Sequence, residues 1–564
     1  MINVNGTPGA PPPIRKLVGL TGRQVPSKQA STVVRKPDGR DRPLLPLWAA
    51  LFTAAVAGIV MDLAYPEVGF WPAAFVATGL VLVAAIGRSV AGSLAIGLVF
   101  GLVLFSLLVL WTSRYLGLIP WLALTAVEGA LTAIGVIPLT LAYRWLPHLV
   151  PGVIGRLVLL PVLVAALWTG REVVLGMWPY GGLPWARLGM TQSESPTAEL
   201  SSWVGVSGLS FLIVLSVAAT LEWLRMGGWR HPLRIAIPVT LGGVLVMVPA
   251  FPTTLAGTMR IGAVQGNGPS GYFDEREPWA IAHAQGDATR PLYGENLDLL
   301  VWPEGMDADP FESNYLASYL TMISQQVGAP LLANAATSVD ETLYNTSFVW
   351  DPRISTMPER DQLQTHAKRN PVPFGEYVPD RAFYNALVPD LIGLIQREYA
   401  HGTDVPLVTV NDVPIGLAIC FDVIYDEVVA ESINAGAQVL VFQTNNADFR
   451  GTDENLQQLA FARMRAIETG RSVVNVSTVG TSQIISPDGT TSASLPAGES
   501  GVMTADVELR TGTTLGTAIG TIVSWVLLWG GLGAVAIAAL LFRTETRRRT
   551  RANISSTTSS DSPM

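Results

Sequence analysis

The amino-acid sequence predicts a polytopic α-helical membrane protein that carries one α/β domain. Half of the residues are apolar (49%) and only 14% are charged, which is typical of integral membrane proteins. Apolar segments of membrane-span length recur along the chain. Between the last two of them, residues 258–508 are polar and alternate short apolar strands with helical stretches, as one α/β domain of this size does.

The first 43 residues differ from the rest of the chain. They are rich in Pro, Gly and Ser, carry eight Lys/Arg and show no apolar period, which predicts a disordered tail. The first apolar segment starts near Leu44, too far from the N-terminus for an ordinary cleaved signal peptide. It is therefore interpreted as an uncleaved membrane span.

Seven apolar segments precede the polar domain. A span needs about 20 apolar residues to cross a hydrocarbon layer of about 30 Å, and each segment meets or approaches that length. An eighth span, 515–542, lies within the segment 509–542, and a tail, 543–564, comes after it. The seven segments, which together form the predicted transmembrane domain 44–257, are 44–62, 68–87, 90–111, 116–142, 153–170, 203–221 and 235–252.

The basic residues of the loops predict the orientation. With a cytoplasmic N-terminus and eight spans, the inside segments hold 19 Lys/Arg, whereas the short outside loops hold only Arg114, Arg171 and Arg187. Cytoplasmic segments carry such an excess of positive charge. We therefore expect a multi-pass protein of the cell membrane, with both termini cytoplasmic and the polar domain outside.

Composition also excludes some classes of site. No basic patch with interleaved aromatic residues is present, so nucleic-acid binding is not expected. Cys420 is the only cysteine, which rules out an intramolecular disulfide and a cysteine-only metal site within one chain.

Within the polar domain, strands and helices are predicted from the apolar pattern. Two long helices are predicted, Phe311–Val327 and Asp453–Glu468, together with a shorter one from about Asp426 to Asn434. The predicted strands are Met259–Gln265, Asp298–Trp302, Pro330–Ala335, Thr346–Trp350, Val405–Val410, Ile415–Ile419, Val439–Thr444 and Ser472–Ser477.

Cys420 ends an apolar run of strand length. A helical stretch and a second apolar run, 438–442, come after it, which predicts a strand–turn–helix–strand unit with the thiol at the carboxyl end of its first strand. Open α/β sheets place their chemistry at that edge. A lone cysteine can also be a small buried apolar residue, so its neighbours decide between the two interpretations.

Two other segments place reactive groups after strands. Glu304 comes after the apolar run 299–302, and a proline-braced loop, 367–379, holds Lys368 and Glu376. Taken singly, such residues are usually solvated loop ends or surface pairs. Together they match thiol acyl transfer, since a thiol of pKa about 8.5 needs a base and a cation, and the oxyanion needs preorganised donors.

The order Glu304, Lys368, Cys420, with each residue inside its local motif, resembles the catalytic triad of the nitrilase superfamily. With the flanking spans, the chain resembles the apolipoprotein N-acyltransferase family from about residue 44 to 542. The motifs that carry this resemblance are Trp-Pro-Glu at 302–304, Val-Pro-Phe-Gly-Glu-Tyr-Val-Pro at 372–379, Gly-Leu-Pro-Trp at 182–185, Gly-Met-Thr-Gln at 189–192, Ala-Val-Gln-Gly-Asn at 263–267 and Arg-Met-Arg-Ala-Ile-Glu at 463–468.

The resemblance implies an αββα sandwich and a two-step mechanism without metal or cofactor. Cys420 attacks a phospholipid ester and becomes a thioester, while Glu304 moves the proton. Lys368 and a backbone amide near Cys420 stabilise the oxyanion, and Glu376 orients Lys368 or the acyl intermediate. The α-amino group of a diacylglyceryl-modified lipoprotein N-terminus then takes the acyl chain.

Further residues are expected to support the site or contact substrate. Supporting roles are expected for Phe421 and Asp422. Asp422 lies where the family commonly has a glutamate. Asp448 departs from the family pattern, because the run 445–450 reads Asn-Asn-Ala-Asp-Phe-Arg instead of Asn-Asp-Ala-Trp-Phe-Gly. The candidate substrate contacts are Trp178, Pro184 and Trp185 of the outside loop 171–202, which can also be an interfacial aromatic belt, with Asn446 and Phe449.

Two other functions remain open from the sequence. A membrane-tethered amidase or other hydrolase would use the same triad with water as acceptor. A non-catalytic transporter or scaffold would show ionisable residues deep in the spans, where only Asp62 and Glu128 stand out. Some actinobacterial relatives are coupled to a polyprenol-phosphate mannosyltransferase, and the sequence does not indicate whether such an enzyme binds this chain.

Overall fold

The computed structural model describes residues 42–227, 242–243, 245–354 and 357–558. Nearly all of the predicted tail 1–43, and residues 235–241 and 244 of the predicted span 235–252, lie outside these residues. The helices of the apolar part are α1 Leu47–Asp62, α2 Pro72–Ala85, α3 Val90–Leu108, α4 Ser113–Leu116, α5 Leu118–Leu149, α6 Leu160–Leu175 and α7 Ser201–Arg225.

Five helical segments of the described chain are long and apolar enough to cross a membrane. They are Val90–Leu108, Leu118–Leu149, Gly155–Leu175, Ala198–Arg225 and Leu515–Arg548. The apolar helices α1 and α2 are shorter, with 16 and 14 residues. Large apolar side chains such as Trp48, Phe52 and Trp529 are exposed on these helices, as expected of a surface that meets lipid. The chain is a membrane protein.

Several helix ends differ from the predicted spans. Helix α5 continues past residue 142 to Leu149 with Pro138 and Pro147 inside it, because packed neighbouring helices let membrane helices tolerate proline. The last helix, Leu515–Thr558, does not stop at residue 542. No glycine or proline occurs between Phe542 and Thr558, so nothing in that basic segment ends the helix.

Close packing of α3 on α5 depends on two glycines. A Cβ atom on Gly97 would lie 2.7 Å from the Cα of Ala133, and one on Gly101 would lie 2.8 Å from the Cα of Gly129. Small residues at four-residue spacing let helix backbones approach in a membrane. The two helices therefore pack backbone to backbone.

The polar domain contains two six-stranded sheets in the described chain, ordered β12-β1-β2-β3-β4-β5 and β11-β10-β9-β8-β7-β6. Its strands begin at Thr254 and end at Thr511, slightly outside the predicted bounds 258–508. The strands are β1 Thr254–Gln265, β2 Leu299–Val301, β3 Leu331–Val339, β4 Thr342–Trp350, β5 Thr365–Ala367, β6 Leu407–Val410, β7 Val413–Ile419, β8 Val439–Thr444, β9 Val473–Ser477, β10 Ser482–Ile485, β11 Thr491–Leu495 and β12 Gly501–Thr511.

Helices cover the outer faces of both sheets. The helices of the domain and its C-terminal span are α8 Ala280–Thr289, α9 Asn314–Val327, α10 Arg381–Leu387, α11 Pro389–Ile392, α12 Asp426–Asn434, α13 Glu454–Thr469 and α14 Leu515–Thr558. The sequence did not predict α8, α10, α11, β5 or β10–β12, which are short, lie at sheet edges or alternate with polar residues.

Side-chain alternation along the strands builds the layers. In β8, Val439 and Val441 join a core between the two sheets, whereas Leu440 and Phe442 join the core on the α12 and α13 side. Residues of β2 likewise pack against α9 on the far side of the first sheet. The order of layers is helix, sheet, sheet, helix, which confirms the predicted α/β sandwich.

A buried charge network joins the domain to the membrane part, and we call Arg187, Asp426, Arg465 and Glu468 the docking cluster. Arg187 of the loop after α6 donates to both carboxylate oxygens of Asp426, 2.9 Å from Oδ2. Arg465 of α13 contacts Asp426 at 2.8 Å and Glu468 at 2.7 Å. The Glu468 carboxylate also accepts the backbone N–H of Val206 in α7, so the cluster ties α12 and α13 to the bundle.

Candidate active site

Cys420 lies at the turn that leaves β7, as the predicted strand–turn–helix–strand unit requires. Its φ is +51°, in the left-handed region that a residue with a Cβ atom enters only at a cost. Such strain concentrates at functional turns, where a sharp strand-to-helix turn presents a nucleophile. The side chain is half-buried.

Glu304 lies just beyond β2, in the other sheet. Its carboxylate accepts a hydrogen bond of 2.7 Å from Asn345 Nδ2, and its charge acts on the thiol of Cys420. Its backbone oxygen accepts from Thr478 Oγ1 at 2.9 Å, which fixes the loop. The carboxylate is therefore held in place near the thiol.

Lys368 is the residue after β5 and is 1% exposed. Its backbone N–H donates to the carbonyl of Asn345 in β4 at 2.7 Å, so sheet pairing positions it. The Nζ atom lies 2.8 Å from Glu376 Oε2 and 3.5 Å from Glu304 Oε1. The ammonium group thus bridges two carboxylates and is closer to Glu376.

The two carboxyl groups differ in their pKa. Burial raises the pKa of Glu304, and Lys368 offsets that increase only in part. Burial also acts on Glu376, but Lys368 and the hydrogen bonds from Val372 N–H and Asn345 outweigh it and lower the pKa. Glu376 is consequently the ionised partner of Lys368, and Glu304 is the group that can gain or lose a proton.

The thiol and the lysine have shifted pKa values as well. Burial and the charge of Glu304 raise the pKa of Cys420 against the opposing effect of Lys368. Burial alone would lower the pKa of Lys368, but the carboxylates of Glu376 and Glu304 raise it. The cysteine therefore rests as a thiol near the carboxyl group of Glu304, and the lysine stays a cation.

Asp422 links the cysteine turn to the loop that begins after Lys368. Its carboxylate accepts the backbone N–H groups of Arg369 at 3.1 Å and Asn370 at 2.8 Å, and it is fully buried. Phe421, also buried, packs against Tyr425 with ring centroids 5.5 Å apart. Both residues hold backbone in place beside Cys420, Glu304, Lys368 and Glu376, which we call the reactive cluster.

The expected substrate contacts in the outside loop lie in different environments. Trp178 is 60% exposed, but Pro184 and Trp185 are buried. Trp185 packs against Trp111 and Phe461 and donates to Gln457 Oε1 at 2.6 Å. Helix α6 extends to Leu175, so the loop begins later than predicted. The ring of Trp185 fills the core beneath α13 and thereby anchors the loop.

The residues expected after β8 divide between two environments. Phe449 is half-buried, with its ring 4.9 Å from that of Trp111. Asp448 accepts the backbone N–H of Tyr272 at 2.7 Å, and burial raises its pKa. Asn446 is buried and hydrogen-bonded to polar side chains near Cys420.

Sequence reasoning missed Asn345 and Gln458. Asn345 bridges Glu304 and Glu376 through Nδ2, and Gln458 Nε2 lies 3.6 Å from Cys420 Sγ. Polar residues inside otherwise apolar elements were the available signal, since a buried amide requires partners. Asn345 lies inside β4, three residues before its apolar end 348–350, and Gln458 lies on the buried face of α13.

Comparisons with known proteins cover both parts of the chain. Residues 57–219 match the family model for the apolipoprotein N-acyltransferase N-terminal domain, and residues 260–515 match that for carbon-nitrogen hydrolase. A crystal structure of a CN-hydrolase superfamily protein from Xanthomonas campestris is 17% identical, with a TM-score of 0.34, and covers 48% of this chain and 96% of its own.

Curated relatives extend across the two matched parts. An apolipoprotein N-acyltransferase of Mycolicibacterium smegmatis is 29% identical over 516 residues, covering 82% of this chain and 80% of the relative. One from Pseudomonas paraeruginosa is 30% identical over 361 residues, covering 62% of this chain and 68% of the relative. On these matches, the chain belongs to the apolipoprotein N-acyltransferase family.

Proposed function

We propose that this protein transfers an acyl chain from a membrane phospholipid, through a thioester on Cys420, to the α-amino group of the lipidated N-terminal cysteine of apolipoproteins. The observation that carries the proposal is the convergence of three groups: Lys368 Nζ lies 3.5 Å from Glu304 Oε1, and the charges of both residues act on the half-buried Cys420 thiol. Nucleophile, base and cation are then within reach of one ester carbonyl.

In the first step, Cys420 Sγ attacks the carbonyl carbon of the phospholipid ester while Glu304 accepts the thiol proton. Lys368 and a backbone N–H at the cysteine turn stabilise the oxyanion. As the tetrahedral intermediate collapses, the carbon–oxygen bond breaks and Glu304 returns its proton to the departing alcohol. The products are a lysophospholipid and the acyl thioester.

In the second step, the free α-amino group of the diacylglyceryl-modified cysteine attacks the thioester. A free α-amino group has a pKa near 8, so a fraction is neutral and nucleophilic at neutral pH. The nitrogen–carbon bond forms, the carbon–sulfur bond breaks, and Glu304 carries the amine proton to sulfur. The product is a triacylated lipoprotein, and the two substrates use one site in turn, which gives ping-pong kinetics.

The membrane architecture supports lipid substrates. A catalytic domain bound to apolar helices by the docking cluster is held near the membrane surface, where both acyl donor and acceptor are anchored. The positive-inside distribution supports an extracytoplasmic domain with both termini in the cytoplasm. No metal or diffusible cofactor is required by these steps.

The decisive experiment exposes the purified full chain to phospholipid alone and examines the Cys420 peptide by mass spectrometry. We expect an acyl adduct on that peptide, and its transfer to a diacylated lipopeptide added afterwards. The Cys420→Ala variant, which lacks the nucleophile, is the control for lipid that copurifies. A wild-type enzyme that forms no adduct would contradict the thioester mechanism.

The same experiment distinguishes a hydrolase from a transferase. Fatty acid released without N-acylated peptide would show that water is the acceptor. A scaffold or transporter has no use for the thiol. If the Cys420→Ala variant restored triacylated lipoprotein in cells lacking the wild-type protein, the catalytic proposal would be wrong.

A further inference from the structure

Three buried polar side chains lie near Cys420 and have no part in the proposed acyl-transfer steps. They are Asn446 after β8 and Glu454 and Gln458 on α13, which are 4%, 3% and 3% exposed. Burying an amide or carboxyl group without hydrogen-bond partners costs free energy, so every polar atom of such a network needs a partner. Their hydrogen bonds form a network that reaches the sulfur through Gln458.

The orientation of the Asn446 amide is fixed by its neighbours. Its Oδ1 accepts from Thr444 Oγ1 at 3.2 Å and from Ser477 Oγ at 2.6 Å. The Ser477 oxygen already accepts the N–H of Gly480, which leaves its hydroxyl hydrogen for Asn446. A Cβ atom on Gly480 would lie 2.4 Å from Asn446 Oδ1, so this loop has no room for a different arrangement.

The opposite end of that amide fixes Gln458. Asn446 Nδ2 donates to Gln458 Oε1 at 2.7 Å and to Glu454 Oε2 at 2.8 Å. Because the oxygen of Gln458 is occupied, the end that faces Cys420 is Nε2, an N–H donor with no acceptor capacity. It lies 3.6 Å from Sγ, within the range of a hydrogen bond to sulfur.

The protonation state of Glu454 keeps the surroundings of the Cys420 sulfur favourable to negative charge. Burial is the main cause that raises the pKa of Glu454 to about 8, so the group is largely neutral at pH 7. An ionised Glu454 would raise the pKa of Cys420 further. On its Gln458 side, the thiol therefore faces an amide donor and little negative charge.

We propose that Gln458 is a further catalytic residue, whose Nε2–H stabilises the developing thiolate of Cys420, and that Asn446 is the positioning residue that directs it. This inference rests on the proposed function and deepens it. Hydrogen bonding to the charged form favours that form. The benefit occurs when the thiol loses its proton to Glu304 and again when sulfur leaves the thioester with its electron pair.

The test titrates the thiol directly and needs no acyl donor or acceptor. The full chain in detergent is alkylated with iodoacetamide at a series of pH values, and intact mass reports modification of its single cysteine. Gln458→Met keeps the approximate length and removes the donor, and we expect it to move the alkylation midpoint up by about one pH unit. Gln458→Glu, an isosteric substitution, should move the midpoint further.

Gln457 offers a matched control on the same helix. It is also 3% exposed, but it bonds to Trp185 and to the backbone oxygen of Pro66 and has no hydrogen bond to Cys420. Gln457→Met should therefore change stability without moving the midpoint. Asn446→Ala, which frees Gln458 to rotate, should produce an upward shift smaller than that of Gln458→Met.

An unchanged midpoint in Gln458→Met would overturn the inference, as would an equal shift in Gln457→Met. If Gln458→Met does not fold, the Gln458→Glu variant gives the same decision. Failure of the proposed function is a separate result. Even if the wild-type protein transfers no acyl chain, Gln458→Met can still shift the alkylation midpoint relative to wild type. Conversely, acyl transfer with an unmoved midpoint removes the role of Gln458 and leaves the transferase intact.

Discussion

Two charge clusters, one inside the polar domain and one where the domain meets the membrane part, differ in the balance of their charges. The docking cluster pairs two guanidinium groups, Arg187 and Arg465, with two carboxyl groups, Asp426 and Glu468. The reactive cluster sets one ammonium group, that of Lys368, against two carboxyl groups and a thiol.

The difference in balance has a chemical consequence. In the docking cluster, Arg465 also donates to the backbone oxygens of Val423 and Ile424, and the two arginines lower the pKa of Asp426. In the reactive cluster, one proton remains to be shared between Glu304 and Cys420, whose pKa values are both raised. A balanced cluster fixes structure, whereas an unbalanced one keeps a proton available for transfer.

The largest expected effect separates the clusters by activity. Glu304→Gln keeps the size of the side chain and removes the base, so formation of the acyl adduct on Cys420 should slow by about 10²–10⁴-fold. Thermal unfolding should change little, because the buried charge is reduced rather than left unpaired. Mass spectrometry of quenched time points measures the acylation rate, and thermal unfolding of the same preparation measures its stability. An acylation rate within tenfold of wild type would remove Glu304 from the role of base.

The second prediction inverts that pattern at the docking cluster. Arg465→Met removes one cation and leaves Glu468 buried without it, which should cost about 3–5 kcal/mol of folding free energy. Denaturant or thermal unfolding in detergent measures the loss. Arg463→Met is a matched control on the same helix, since its hydrogen bonds lie at the edge of the domain near Gly489 and Gln483. Equal destabilisation by both variants would contradict the comparison.

The third prediction uses pH to separate the clusters. Because the pKa of Glu304 is raised, its basic form is lost as pH falls through a value above 4.5, and acylation should fall about tenfold per pH unit below it. The pKa of Asp426 is lowered, so its contribution to stability is complete above the ordinary value of 3.8 and is lost only as pH falls further.

Burial raises the pKa of Glu468, so acid protonates this member of the docking cluster early, whereas the bonds of Asp426 to Arg187 and Arg465 persist. Acid should consequently stop acylation reversibly while those Asp426 bonds keep the domain docked. The measurements are the rate of adduct formation and the unfolding temperature on one pH series. Coincident loss of activity and fold would show that both clusters respond to the same protonation.

How far the sequence predicted these features depended on the distance between partners. Glu304, Lys368 and Cys420 were found because each comes after a strand or begins a loop that a local motif marks, and strand ends meet at one edge. The fold class was predicted from span-length apolar segments and alternating strands. These signals lie within windows of about ten residues.

The missed features depend on partners far apart along the chain. Asn345 is 41 residues from Glu304, Gln458 is 38 from Cys420, and Arg187 is 239 from Asp426. No local pattern specifies such pairs, because the tertiary packing of two sheets and a bundle brings them together. The burial of Trp185, which was expected at the substrate, was missed for the same reason. Its motif marked an important loop, but only the structure shows that the ring fills the core.

The smallest expected effect tests whether the docking cluster depends on its polar surroundings. Ser207 of α7 accepts a hydrogen bond of 3.0 Å from Arg187 Nη2 and bonds to Ser524 of α14 at 2.9 Å. Ser207→Ala should cost about 1 kcal/mol of folding free energy, since Arg187 retains both bonds to Asp426. Ser216→Ala on the same helix removes only a bond to the carbonyl of Ile213 and should cost less.

Neither change should alter acylation of Cys420 by more than about twofold, because the neutral hydroxyl contributes no charge to the reactive cluster. A Ser207→Ala variant that acylated tenfold more slowly would show that the two clusters are coupled through α12, whose N-terminal Asp426 lies directly after the cysteine turn.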